Sequence, residues 1–226
     1  MKKLPWVIFW AVAFAFVEAA VVEYMRAIYY PLSRGGFQFP MYTLEQLSAL
    51  GNEHLRRLLI EYGRELATLI MLATLAAAAG RNRRESWAHF IIAFGIWDIF
   101  YYIWLKLFLN WPEDFLTWDL LFLIPVPWVA PILAPLIVSA IMIACGAVVL
   151  YFEHRGKPLL AHWSEWLLIS CGGIVVIVSF CQDYKNISEG GIPSHFNWTL
   201  FSAGMVLSIT AFAALAVRNR QKTISH

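Results

Sequence analysis

Charge is scarce in this 226-residue chain. Asp, Glu, Lys and Arg make up 14% of it against 60% hydrophobic residues, whereas soluble domains carry about 25% charged residues. With a mean hydropathy of +0.63, so much apolar surface cannot be hidden around a single soluble core of this length. Lipid removes the difficulty, because it accepts apolar faces outside the fold as well as inside. An excess of one sign is also lacking. The formal net charge is +2 and the basic residues form no reading stripe, which excludes nucleic acid as a partner. Cysteine is rare. Cys145, Cys171 and Cys181 sit in apolar runs without a CxxC pair, so they read as small buried hydrophobes rather than a disulfide framework. No two histidines share a helix at mid-depth, which argues against haem held by facing imidazoles, and no cofactor is implied. There is no nucleophile elbow, no soluble domain, no linker and no internal repeat. Residues 1–226 read as one transmembrane domain.

What the chain does have is long apolar runs. Crossing about 30 Å of hydrocarbon takes roughly 20 helical residues. Six runs qualify: Pro5–Tyr30, Leu58–Gly80, Ser86–Leu109, Trp128–Phe152, Trp163–Gln182 and Asn197–Val217. The second is the weakest, since its purely apolar part is only Leu66–Ala79. The first follows Lys2-Lys3 but is too long for a signal-peptide core and lacks a small-residue cleavage site, so it reads as a retained span. The predicted fold class is all-α: a polytopic transmembrane helix bundle of about six spans, with amphipathic or re-entrant segments on its outer side.

Orientation comes from the basic residues. Lys2 and Lys3, then Arg81, Arg83 and Arg84, then Arg155 and Lys157, and finally Arg218, Arg220 and Lys222 fall on one side of a six-span chain. The other side has Glu113, Asp114 and Asp119 and a mixed loop with Asp183, Lys185 and Glu189, and only the first outer segment, with Arg34, Arg56 and Arg57, breaks the trend. The positive-inside rule puts both termini in the cytoplasm. Trp6, Trp10, Trp87, Trp163 and Trp166 then mark the inner interface, and Trp111, Trp118, Trp128 and Trp198 the outer one. On that outer side an irregular loop, Gly35 to Pro40, leads to an amphipathic helix starting at Thr43, with capping-box spacing to Gln46. A second outer segment runs from Trp111 to Pro127. Prolines at 125, 127, 131 and 135 cannot all lie in a regular helix interior, which predicts a re-entrant or interfacial piece. Ala130/Ala134, Ala140/Ala144 and Gly204/Ser208 have the spacing of helix-packing faces.

The ionisable residues within these spans carry the functional information. Glu18, Glu23 and Arg26 lie on the first, Glu61, Arg64 and Glu65 on the second, Asp98 and Tyr102 on the third, and Asp119 just beyond it. At about 100° per residue, Arg57, Glu61, Arg64, Glu65 and Thr68 share one stripe of the second span, while Phe94, Asp98 and Tyr102 share a face of the third. A lone charge at mid-span costs about 2.5–3.5 kcal/mol on insertion scales. Several together would cost as much as a whole fold is stable, about 5–15 kcal/mol, so they must be paired, hydrated or protonated. Arg26, Arg64 and Lys106 can offset only some of these acids. Glu23 with Arg26, and Glu61 with Arg64, also have the i,i+3 spacing of ordinary helix pairs, which is a structural role. Glu18, Asp98 and Glu65 lie deeper. Carboxylates suit Mg²⁺ or Ca²⁺, but no single segment supplies a ligand spacing, and no metal is predicted.

Three stretches, Phe16 to Val22, Phe94 to Tyr102 and Trp118 to Trp128, resemble segments of bacterial multi-pass integral membrane proteins of about six spans, a group with no assigned activity. The resemblance implies a bacterial inner membrane and no mechanism. Three functions fit the residues. One is movement of a proton, cation or small polar solute through an outward-facing cavity lined by buried carboxylates. Another is a non-catalytic subunit or assembly factor, with the bilayer, a second copy or a larger complex as partner. The third is a membrane-embedded enzyme acting on a lipid-linked substrate, with Asp98, Asp119 or Glu65 as acid or base.

Overall fold

An unpaired backbone amide costs several kcal/mol in hydrocarbon, so apolar runs of this length resolve as helices. The computed structural model describes residues 2–29, 52–189 and 191–224. In chain order it contains α1 (Leu4–Tyr29), α2 (Asn52–Ala79), α3 (Arg83–Leu109), strands β1 (Trp118–Phe122) and β2 (Trp128–Pro131), α4 (Leu133–His154), α5 (Trp163–Cys181), a short α6 (Tyr184–Ser188) and α7 (Trp198–Ile224). Five of these helices, α1, α3, α4, α5 and α7, are long and apolar enough to cross a membrane. With 28 residues α2 is long enough as well, but the charges of its first half keep it outside that set. The chain is a mostly helical, multi-pass membrane protein.

Successive long helices alternate in direction. Lys3 Nζ donates to the Ala78 carbonyl at 2.9 Å, Arg84 pairs with Glu153, and Arg218 pairs with Glu165 at 2.7 Å. These contacts gather both chain termini at one end of the bundle, the terminal end, and leave the β-hairpin at the other. Helix boundaries follow local chemistry. The Asn82 side chain accepts the Glu85 N–H at 3.0 Å and starts α3. Asn110 ends it in the left-handed region, φ 51°, a conformation that asparagine tolerates better than most residues.

Helix α3 is central and packs against α1, α2 and α4. Glycines set the approach to α4. A Cβ on Gly95 would stand 2.6 Å from the Ser139 carbonyl oxygen, and one on Gly146 would stand 2.9 Å from that of Ala88. The second tight pair is α5 with α7. A Cβ on Gly172 would lie 2.7 Å from the Gly204 oxygen, one on Gly204 would lie 2.8 Å from the Gly172 oxygen, and Ser208 Oγ donates to the Ile169 carbonyl at 3.2 Å. Gly204 and Ser208 therefore form a packing face, with Gly172 opposite. Ala140 and Ala144 do not, since both are exposed. The α5/α7 pair meets the rest of the protein chiefly through β2, with few contacts to α4.

Several expectations need correction. The fourth helix begins at Leu133, not at Trp128, because Trp128–Pro131 is strand β2, paired antiparallel with β1 (Trp118 opposite Pro131, Asp119 opposite Ala130). Proline lacks the N–H that a helix interior needs but is tolerated on an edge strand, and both strands of a two-stranded sheet are edges. The tryptophans also divide differently. Trp6, Trp87, Trp163 and Trp166 are exposed at the terminal end, as an interfacial belt requires, but Trp10 is half-buried and packs against Phe14 and the core. At the hairpin end Trp111 is buried, and Trp118, Trp128 and Trp198 pack into a cluster with Phe180, Phe196 and Phe201. These rings form core rather than a belt. The amphipathic helix expected from Thr43 lies outside the described residues.

Gly172→Val should destabilise the protein by about 1–3 kcal/mol, the usual penalty for overpacking. Gly173→Ala, whose Cβ meets nothing within 4 Å, should be near neutral. Graded SDS unfolding of both variants measures the difference.

Candidate functional site

The polar site is assembled from four helices and the hairpin. On α2, the spacing 61, 64, 65, 68 puts Glu61, Arg64, Glu65 and Thr68 on one face. That face meets Glu18 of α1, which is only 5% exposed. The Arg64 guanidinium pairs with Glu18 across the helix interface, and its Nε donates to both Glu61 oxygens at 3.0 and 3.1 Å. Thr68 Oγ1 donates to the other Glu18 oxygen at 2.8 Å. One cation thus serves two acids, so the i,i+3 pair expected within α2 is also a bridge to α1.

The remaining acids accept hydrogen bonds from neutral donors, and Glu65 also interacts electrostatically with Arg64. Glu65 accepts the Leu123 backbone N–H, 2.9 Å from each carboxylate oxygen. This bond ties α2 to the hairpin. Asp98 of α3 accepts from Ser139 Oγ of α4 at 2.8 Å, and buried Asp119 of β1 accepts from the Tyr102 hydroxyl at 3.0 Å. A buried carboxylate left without donors would be strongly unfavourable, and each of these has at least one.

All of these groups line one cavity of about 1260 Å³, partly open to the outside. Ligand pockets for small molecules run about 300–1,000 Å³, so this one is large. Its walls are α3 and α4 on one side and α5 and α7 on the other. Lining residues on α3 extend from Arg83 to Tyr102, a length of about 28 Å at roughly 1.5 Å per residue. That is close to the thickness of the hydrocarbon core, about 30 Å. Arg83 and Arg84 stand at the terminal end, and the acids lie toward the hairpin. Between them the walls are chiefly apolar, including Phe90, Met142, Ile177 and Phe212. Beside the acids, aromatic rings continue from Tyr101 to Trp97 (centroids 6.3 Å), Phe122 (6.4 Å), Trp128 (5.7 Å) and Phe180 (6.3 Å).

Of the residues singled out in the sequence, Glu18, Glu61, Arg64, Glu65, Asp98, Tyr102 and Asp119 line this cavity. Glu23 is half-buried and does not. Arg26 has its side chain outside the described residues. Among the described residues Lys106 pairs with no acid; it is exposed and donates to the Pro112 carbonyl at 2.7 Å, with that of Asn110 at 3.4 Å. Among the described residues no three His, Cys, Asp or Glu side chains are placed to hold a metal ion, so Glu18, Glu65 and Asp98 do not make one ligand set. Ser139, Trp97 and the Leu123 N–H belong to the site and were not expected there, and Trp128, expected at the outer interface, lines the cavity instead. Ser139 had a signal, as the one hydroxyl in the apolar run 133–150; the others had none. No protein family, curated protein or solved structure matches the chain.

Arg64→Met leaves Glu18 and Glu61 without their cation, and removal of one partner from a buried pair typically costs about 3–5 kcal/mol. A loss near the lower end is expected, because the Arg64 side chain is 26% exposed. Adding Glu18→Gln should recover part of it. SDS unfolding of the single and double variants reads both effects.

Proposed function

We propose that the protein takes an amphiphilic, lipid-linked substrate from the bilayer into this cavity and handles its polar end at the carboxylate cluster. The observation that carries the reading is the gradient within one cavity: apolar walls along α3, α4, α5 and α7, with Glu18, Glu61, Arg64, Glu65, Asp98 and Asp119 together toward one end. A small hydrated ion has no use for so long an apolar wall, whereas a chain of methylenes gains about 0.8 kcal/mol for each one buried. The gap between the α1–α4 group and the α5/α7 pair supplies an entry for such a chain. Asp98, Glu65 and Asp119 are the groups placed to exchange a proton with the polar end, within reach of hydroxyl partners on Ser139 and Tyr102.

A second reading, movement of a proton or cation, is favoured by one observation. Five acids, Glu18, Glu61, Glu65, Asp98 and Asp119, line the cavity, and Arg64 pairs with two of them. In that case Glu18→Gln or Asp98→Asn abolishes flux in proteoliposomes while the fold survives.

Gly173 lines the cavity and faces open space, so Gly173→Phe fills the cavity without disturbing α5. The purified wild type is expected to retain a lipid or lipid-linked compound, detected by mass spectrometry of the extracted fraction, and Gly173→Phe to lose it. Equal retention by the two proteins, or none by either, would overturn the reading.

A further inference from the structure

The long helices fall into two groups, and each is fastened at several depths. In the first, Arg84 of α3 pairs with Glu153 of α4 at the terminal end, Gly146 lets α4 close on the Ala88 carbonyl, and Ser139 Oγ donates to Asp98 nearer the hairpin. In the second, Arg218 of α7 pairs with Glu165 of α5 at the terminal end. Ser208 Oγ donates to the Ile169 carbonyl at mid-depth, and the Phe180 and Phe201 rings meet at 5.9 Å near the hairpin. Helices α5 and α7 therefore act as one stiff pair.

Contacts between the two groups are distributed differently. They gather at the hairpin end, where Trp128 meets Phe180 and Trp118 meets Phe196, each with centroids 6.3 Å apart. There Ile137, Val138 and Ile141 of α4 also pack against the cluster that contains Val176 and Met205. Further along α4, Met142, Cys145 and Val149 lie on the cavity wall, with Ile169, Phe212 and Leu215 on the wall supplied by the pair. In water two such apolar walls would close on each other. In lipid they gain little by doing so, because acyl chains are as apolar as leucine and helix association depends on packing and hydrogen bonds. A joint between rigid parts that is not large and hydrophobic permits relative motion by default.

The covalent link at the terminal end sets the range. The Lys157 N–H donates to the Phe152 carbonyl of α4 at 3.1 Å, while the Leu160 carbonyl accepts from Arg218 of α7 at 2.6 Å. Pro158 and Leu159 alone lie between these anchors. Three Cα steps cover about 5 Å in a turn and about 10 Å when extended, so the tether permits a swing of about 5 Å.

We infer that α5 and α7 swing as one arm about the hairpin, opening and closing the terminal-end mouth of the cavity against α3 and α4. The hairpin is the pivot, and Pro158–Leu159 is the tether that limits the arc. The inference goes beyond the amphiphile reading and does not rest on it, since the arm borders the mouth whatever the cavity carries.

Spin-label pairs in nanodiscs test it, in a chain whose Cys145, Cys171 and Cys181 are replaced by alanine. Arg83→Cys on α3 with Val217→Cys on α7 reads the terminal end. Leu116→Cys ahead of β1 with Ile192→Cys ahead of α7 reads the hairpin end, and all four positions are exposed. Double electron–electron resonance gives each distance distribution, on proteins whose helicity matches the wild type. The terminal-end distribution should be about 5 Å wider than the hairpin-end one. Two glycines inserted between Pro158 and Leu159 should widen it further and leave the hairpin end unchanged. Two distributions of equal width, narrow or broad, overturn the pivot, as does a wider one at the hairpin end. An insertion without effect overturns the tether. Bound lipid is not read in this experiment, so the amphiphile reading stands or falls separately.

Discussion

A guanidinium placed among apolar helices must be paired, and the pairing of Arg64 organises the polar half of this protein. Helices α1 and α2 touch each other sparingly and lean separately on α3. What joins them is polar: the Arg64 pair with Glu18, the Thr68 hydroxyl on the same carboxylate, and the Lys3 bond to the Ala78 carbonyl at the terminal end. Once Arg64 and Thr68 face Glu18, the helical spacing of α2 brings Glu65 toward the hairpin, where the Leu123 N–H meets it. Loss of the cation would leave acids in a low-dielectric setting, where an unpaired charge is far more unfavourable than in water.

The hairpin is the second element on which the site depends. Two short strands have little stability alone, and here they are held by side chains of the bundle. Phe122 packs against Phe94 and Trp97, Asp119 accepts the Tyr102 hydroxyl, and Trp128 reaches Phe180 on α5. Because β2 is also the main contact of the α5/α7 pair with the rest, the hairpin links the two helix groups at one end. Toward the other end they stand apart. A wide, elongated cavity is the geometric consequence.

That cavity has opposite characters along its length. Near the hairpin it offers acids and aromatic rings; along the helices it offers methyl and methylene surface, ending at Arg83 and Arg84. Lipid and protein interiors are equally apolar, so the long wall gains nothing for the fold by being left open. On the proposed reading its occupant is itself long and apolar, with a polar end at the acids. Glycine contacts give each helix group its own tight packing, Gly95 and Gly146 in one and Gly172 and Gly204 in the other, so neither group needs the other to be well packed.

The sequence by itself determined the solvent and the helices. Apolar runs of spanning length leave little alternative in lipid, and the helices match the runs read from Pro5, Ser86 and Trp163 within about three residues at each end, while α7 starts beside Asn197 and continues past Val217 to Ile224. The helical period likewise placed Glu61, Arg64, Glu65 and Thr68 on one face, since neighbours on a single helix are a local property. Only the tertiary structure decided that Glu18 is the acid Arg64 reaches, that Ser139 serves Asp98, and that residues 118–131 form a hairpin closing one end of a cavity. Those facts depend on which helix faces meet, and spacing along one helix carries no record of rotation relative to another. The short strands were hidden for a related reason: a proline-rich apolar stretch excludes helix without specifying what replaces it, and the choice fell to the aromatic rings of α3 and α5 against which the hairpin packs.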